Sequence, residues 1–539
     1  MGTVVQRSLT RARRQARFED WWAWTPPGAP RGTEGVTPAR PFSSRRSSAL
    51  VGITALALAY ASLAQSAGWN QNAHYALVRA LTNGTAIVDP YRHQTGDVSW
   101  FQGHYYAAKA PGLAFATVPV YFLLDALAVK EVVAKAAPGA ADRTVGMLWV
   151  LGLAGCVLPA TAIALLVRRL ADLVEPGLGL LAAVSAGLGT LLLPFSTLFF
   201  AHVLAAGLAF AAFAVLWLRS APALAGLLAG LAVTVDYPLA LAAVILGGYA
   251  RRRAPLYFLG VAFGIVPLLA YQWWAFGSPT HLAYHNAVFM GGASGHDVVG
   301  ANERGFFGVA LPSFVVGVEL LFSPPGLLRM TPLVALGVVG TVLMYRRGFR
   351  AEAVTIATVA FAYLIYNAGY VLPFGGAVPG PRFLIPALPF LAVPLALAFR
   401  RLPLTTLAAA GASAALMAAV TVTNPMDAFL GVGWDDRILA GSFGIHSLPS
   451  VAAFLLFAVV AATFALRAAS LEIRCAELPV VLVGGAAWAL LFVLGPPEKE
   501  GWSVELAFAV AVLAAVAVLL TLAVGLRGPL RRRSPAALE

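Results

Sequence analysis

The feature that most restricts this chain is a series of nearly uncharged apolar runs, each about 15 to 23 residues long, separated by short polar turns. A run of that length matches the helix needed to cross the hydrocarbon layer of a bilayer, and its Leu, Ala and Val do not alternate with polar residues as barrel strands do. The chain is therefore expected to be an all-α polytopic integral membrane protein. Composition agrees: 60% of residues are hydrophobic and only 11% charged, with a mean hydropathy of +0.79, where a soluble domain carries about a quarter charged residues.

The net charge of +13 does not indicate nucleic acid, because the basic residues stand in short clusters between apolar runs. Cytoplasmic placement of Arg168-Arg169, Arg219, Arg251 to Arg253, Arg346 to Arg350, Arg400-Arg401 and Arg467 to Arg474 gives about fourteen crossings, from 50–67 to 504–526, with both termini inside. The natural setting is a bacterial cytoplasmic (inner) membrane. Residues 1–49, rich in Arg, Pro and Ser, read as a disordered basic cytoplasmic arm, and residues 527–539 as a basic cytoplasmic tail. The two cysteines, Cys156 and Cys475, have no disulfide or metal-ligand spacing.

The run from Gly112 to Val129 fits poorly as a crossing, since counting it would place Arg168-Arg169 outside. It reads instead as a re-entrant or surface helix within one long external loop, 68–143. A transmembrane module at 50–276 then precedes a second external loop, 277–329, which has room for a surface helix. Further transmembrane helices occupy 330–526. Long ordered loops of this kind usually exist for function.

The first loop gathers polar and aromatic residues: Asn72, His74, Tyr75, Asp89, Asp97, His104, Tyr106 and Lys109. Aromatic rings can cover the apolar face of a sugar while amide, imidazole and carboxylate groups bind hydroxyls or move a proton. The same residue types also serve as an interfacial aromatic belt and as turn caps. Within the crossings, His202 and Asp236 are ionisable at membrane depth, and Arg382 opens a crossing after a Gly/Pro-rich loop. Nothing requires a cofactor. A divalent metal is the one candidate, at His281 and His285 with His296, Asp297 and Glu303 nearby.

The order of these parts resembles the GT-C superclass of polyprenyl-phosphate-sugar-dependent glycosyltransferases, in particular the lipid A aminoarabinose transferases and protein O-mannosyltransferases. Gln71-Asn72-Ala73-His74-Tyr75 looks like their Asp-Glu-x-x-Tyr element, and Gly103 to Tyr106 followed by Lys109-Ala110-Pro111 looks like the approach to their Lys-Pro-Pro helix. Gly226 to Pro238 is similar to their broken helix pair, and Gly375-Gly376 with Gly380-Pro381-Arg382-Phe383 to a pattern of uncharacterised bacterial members.

The resemblance implies a GT-C-like fold and an inverting transfer of sugar from a polyprenyl-phosphate donor to a glycan, lipid or protein acceptor in the cell envelope. Where those families carry acids, this chain has Gln71 and Asn72, neither of which can act as a base, so Asp97 first and Asp89 second are the catalytic candidates. Asn72, His74, Tyr75, His104, Tyr106, Lys109, His202, Asp236 and Arg382 are the substrate-binding candidates. A transporter or flippase of lipid-linked glycans, or a non-catalytic glycolipid-binding relative, stands as the alternative.

Overall fold

The computed structural model describes residues 42–138, 142–219, 221–288, 308–376, 378–423, 425–426, 434–473, 475–494 and 501–526. The expected tail at 527–539 and most of the expected arm lie outside them; the first described helix begins at Phe42.

The protein is an all-helical polytopic membrane protein. Among the described residues, eight helices are long and apolar enough to cross a membrane, and two further pairs, Phe314–Met330 with Leu333–Arg346 and Arg382–Ala392 with Leu395–Arg401, are bent by 89° and 57°. Four shorter apolar helices accompany them: Ser47–Ala61, Gly112–Ala126, Gly179–Leu188 and Pro222–Val235. Among the described residues, length and composition alone give eight to ten spans when Leu239–Phe276 is taken as one, against about fourteen crossings expected from the sequence, several of whose runs form short or bent helices.

One of the eight, Leu239–Phe276, is not straight. Tyr257 Oη donates to Ala243 O at 2.9 Å and Gln272 Nε2 to Tyr237 Oη at 3.2 Å. A continuous helix would hold those pairs about 20 and 50 Å apart at its 1.5 Å rise per residue. The chain folds back at Arg251–Arg253, where Arg251 takes φ +54°. The returning arm packs on Pro222–Val235 through small residues: Gly230 lies against Gly264, and Gly226 and Gly260 each meet the opposite backbone. Such contacts let two helices approach where no hydrophobic driving force separates them from lipid.

One end of the bundle is basic. Glu175 pairs with Arg347 and, at 3.7 Å, with Arg400, and Tyr249 Oη donates to Glu352 at 3.1 Å. Within the bundle, Phe210, Phe213 and Phe390 are fully buried, with centroids 5.2 Å from Phe390 to each of the others. On the outside, the helices at Leu478–Leu494 and Val504–Gly525 leave Leu482, Leu490, Leu513 and Leu519 more than half exposed, as helices solvated by lipid do.

The opposite end carries a cap built from the first loop. Helix Trp69–Thr82 leads to a 3-10 turn at Asp89–Gln94, then to strands β1 (Val98–Phe101) and β2 (His104–Ala107). The strands pair antiparallel from Val98 opposite Ala107 to Phe101 opposite His104, and the hairpin closes at Gln102 (φ +48°) and Gly103 (φ +86°). A third strand, β3 (Ala287–Val288), joins β1 from the second loop, and Ser99 Oγ donates to Ala283 O at 2.6 Å. This small sheet is an addition to the purely helical expectation for the loops. The run expected as a surface helix forms Gly112–Ala126, a helix of 15 residues, or about 22 Å, beside the roughly 30 Å of a hydrocarbon layer.

Candidate functional site

Beneath the cap, the hairpin register brings two charges together. Because Val98 faces Ala107, the next pair outward is Asp97 and Ala108, and Ala108 N donates to Asp97 O at 3.0 Å. Lys109 follows, and its Nζ lies 3.0 Å from Asp97 Oδ2. Thr95 fixes the approach: its hydroxyl donates to Trp69 O at 2.6 Å and accepts from Asp97 N at 3.0 Å. The Lys109 side chain is 10% exposed, whereas that of Asp97 is 32% exposed, so the carboxylate is the more accessible partner.

Burial opposes the charge on Asp97, but the Lys109 ammonium, with Arg382 behind it, outweighs that effect and holds the carboxyl below its usual range. Burial likewise lowers Lys109, only partly offset by Asp97. His74, on helix Trp69–Thr82, is buried with its ring 6.2 Å from Phe199. Its pKa is pushed down to about 3, first by burial and then by the Lys109 charge. It is therefore a neutral imidazole at physiological pH.

A second pair arises where two helices end. Pro222–Val235 stops at Asp236, which is held extended (φ −155°) ahead of Pro238. His202 stands in the first turn of Ala201–Arg219, and its Nδ1 donates to Asp236 Oδ2 at 2.7 Å. The break is brought to Lys109 by Gly112, whose Cα side rests against Val235 Cα and Thr234 O, leaving no room for a Cβ. Arg382 completes the cluster. Its guanidinium lies 5.5 Å from the Phe200 ring and 5.1 Å from the Phe383 ring, and its Nε has no hydrogen-bond partner among the described residues.

The structure thus gathers His74, Asp97, Lys109, His202, Asp236 and Arg382 at one place. It sends the other candidates elsewhere. Asp89 accepts from Tyr105 N at 2.6 Å and from His104 Nδ1 at 2.8 Å, on the exposed side of the hairpin. Asn72 donates to Gln94 O, Tyr75 packs against Tyr121 and under Arg79, and Tyr106 lies on Phe276.

Sequence reading passed over the aromatic rings around this site. Tyr284 has its ring 5.9 Å from Lys109 Nζ and 5.7 Å from Tyr237; Tyr366 and Tyr370 stack at 5.8 Å, with Phe383 edge-on to Tyr370 at 5.2 Å. Burial raises Tyr284 well above a free phenol, so it is a neutral donor. The signal was weak, a lone Tyr between His281 and His285 in the second loop.

Among the described residues those two histidines have other contacts. His281 stacks on Phe276 at 4.8 Å and bonds Asn286 at 2.7 Å. No group of three His, Cys, Asp or Glu that could hold a metal occurs among the described residues, while His296, Asp297 and Glu303 lie outside them.

No protein-family model matches the chain and no curated protein matches it. Among solved structures it is similar to the apo oligosaccharyltransferase of Archaeoglobus fulgidus, with a TM-score of 0.43 and 12% identity, over 86% of this chain and 64% of that one. The chain therefore spans a little less than two thirds of that enzyme. A likeness of this size assigns neither a family nor a reaction.

Proposed function

We propose that the protein is a GT-C-like glycosyltransferase that moves a sugar from a polyprenyl-phosphate donor to an acceptor at the outer face of a bacterial cytoplasmic membrane. The observation that carries this reading is the Asp97–Lys109 pair at 3.0 Å, with a partly exposed carboxylate and Arg382 acting on the same groups. A lipid phosphate leaving a sugar gathers negative charge, and two fixed cations stabilise it. A carboxylate beside them accepts the proton of the attacking hydroxyl or amine as the anomeric C–O bond to phosphate breaks and the new bond forms. The order of the loop, surface helix and broken helix pair supports the same class.

The outward orientation is supported by charge: the Glu175, Arg347 and Arg400 group lies near one set of helix ends and the polar site near the other, which the positive-inside rule turns into an external site with cytoplasmic termini. Transport would call for a polar route through both halves of the bundle, whereas the ionisable candidates gather at one end of it.

The test is transfer of radiolabelled sugar from a series of polyprenyl-phosphate donors by the full chain in lipid nanodiscs. Turnover by the wild type and its loss in Asp97→Asn, with donor binding kept, is the expected result. Tight glycolipid binding with no transfer from any donor would move the assignment to the binding-protein reading.

A further inference from the structure

We infer that His202 reads a hydroxyl of the donor sugar, its Nε2 accepting that hydroxyl's hydrogen bond, with Asp236 as the positioning residue that fixes the tautomer. The inference rests on the transferase reading above and adds to it a determinant of sugar specificity.

For an ionised Asp236 beside a neutral imidazole, the pair leaves one tautomer. A carboxylate can only accept, so the 2.7 Å contact places the proton on Nδ1. In the neutral ring Nε2 is then a bare acceptor. That atom is buried and has no hydrogen-bond partner among the described residues. A buried, oriented acceptor without a partner costs stability unless a ligand supplies the donor.

The surroundings identify which part of the ligand that is. Phe200 and Phe383 touch both the His202 ring, at 6.0 and 5.6 Å, and the Arg382 guanidinium. The hydroxyl read by His202 therefore belongs to the sugar directly attached to the phosphate that Arg382 grips. Phe195 and Phe200, which pack on the imidazole, are fully buried, whereas Phe383 is partly exposed, so the Phe383 side is the more open approach to the ring. The charged groups near this imidazole are Asp236, Arg382 and Lys109.

A site built around a hydroxyl discriminates strongly against a ligand lacking it, because its own polar atom is left unpaired. The experiment measures equilibrium binding of farnesyl-phosphate hexoses and pentoses to the full chain in nanodiscs, followed by the monodeoxy forms of the tightest binder. One monodeoxy form is expected to bind wild type about tenfold or more weakly. That preference should vanish in His202→Phe and weaken in Asp236→Asn, whose amide can accept from Nδ1 or donate to it and so no longer fixes the ring proton. His202→Gln, which keeps an acceptor oxygen, should retain part of it.

Nitrogen-15 spectra of labelled histidine report the tautomer directly and should show an unprotonated Nε2 in wild type. Equal affinity for every monodeoxy form, or a preference that survives His202→Phe, overturns the inference while the transferase reading stands. Failure of every farnesyl-phosphate sugar to bind overturns both. Should Asp236→Asn not fold, His202→Gln and the wild-type deoxy series decide the matter.

Discussion

The side chain of Gln71 holds the segment that leads to His202: its Oε1 accepts a hydrogen bond from Phe199 N at 3.0 Å, and its Nε2 donates to Ser66 O at 2.8 Å. Gln71 is 1% exposed and stands where the families it resembles place an acid. Both ends of its amide are committed to backbone, and a carboxylate could serve only one of them.

Gln71→Glu is therefore expected to destabilise the protein and not to restore a catalytic acid. The carboxylate would face Ser66 O with no proton to give, a loss of about 1–3 kcal/mol. A lower thermal midpoint in nanodiscs with no gain in transfer is the predicted result. Increased turnover in the variant would show that this position still addresses the substrate.

The Asp97–Lys109 pair should set the acid limb of any activity. Asp97 is held below the ordinary carboxylate value of about 3.9, so the stability this carboxylate contributes is fully present above that value and is lost as pH falls through its lower folded value. In Lys109→Met the main opposing charge is gone and burial dominates, so the carboxyl should titrate above its ordinary value. The sign then reverses: the variant loses stability as pH rises through that range, and the acid limb of its transfer profile moves upward. Coincident profiles for the two proteins would argue against this coupling.

Gly112 should be intolerant of any side chain. A Cβ there would stand 2.6 Å from Val235 Cα and 2.7 Å from Thr234 O, and neither backbone atom can swing away as a side chain can. Gly112→Ala must push the Gly112–Ala126 helix off the helix break, at a cost of about 1–3 kcal/mol, and carry Lys109 away from Asp236. Gly411 is the control, since nothing lies within 4 Å of its Cβ position. Gly411→Ala should be neutral or stabilise by up to about 1 kcal/mol, as read by thermal unfolding of both variants alongside wild type.

Much of the architecture was legible because lipid solvation writes itself into long apolar runs, and the helix at Gly112–Ala126 was set apart from the crossings by the conflict of Gly112 to Val129 with the basic residues at Arg168. The hairpin was not: its strands are four residues each, too short to show alternation, and only the Gln102-Gly103 turn marks them. Asp97 ranked ahead of Asp89 in the sequence only through its nearness to Lys109, while Asp89 stood in a turn-like Val88-Asp89-Pro90-Tyr91. What separates them is a strand register, which sets Asp97 beside Lys109 and leaves Asp89 to His104 on the outer side. His202 and Asp236 were visible singly as charges at membrane depth. Their pairing across 34 residues depends on where two separate helices end.

Two adjacent glycines allow the role of Arg382 to be isolated. Gly375 and Gly376 have φ of +83° and +93°, so an alanine at either strains the backbone by a similar amount, about 1–2 kcal/mol. They differ in what the new methyl meets. At Gly375 it collides with Arg382 Nε and the carbons of the same side chain, whereas at Gly376 nothing lies within 4 Å. Gly375→Ala should displace the guanidinium and weaken binding of a farnesyl-phosphate sugar beyond the loss seen in Gly376→Ala, with similar thermal midpoints for the two. The excess should disappear in an Arg382→Gln background, where there is no guanidinium left to displace. An equal loss of binding in Gly375→Ala and Gly376→Ala would mean that the loop acts through its backbone and that Arg382 does not hold the phosphate.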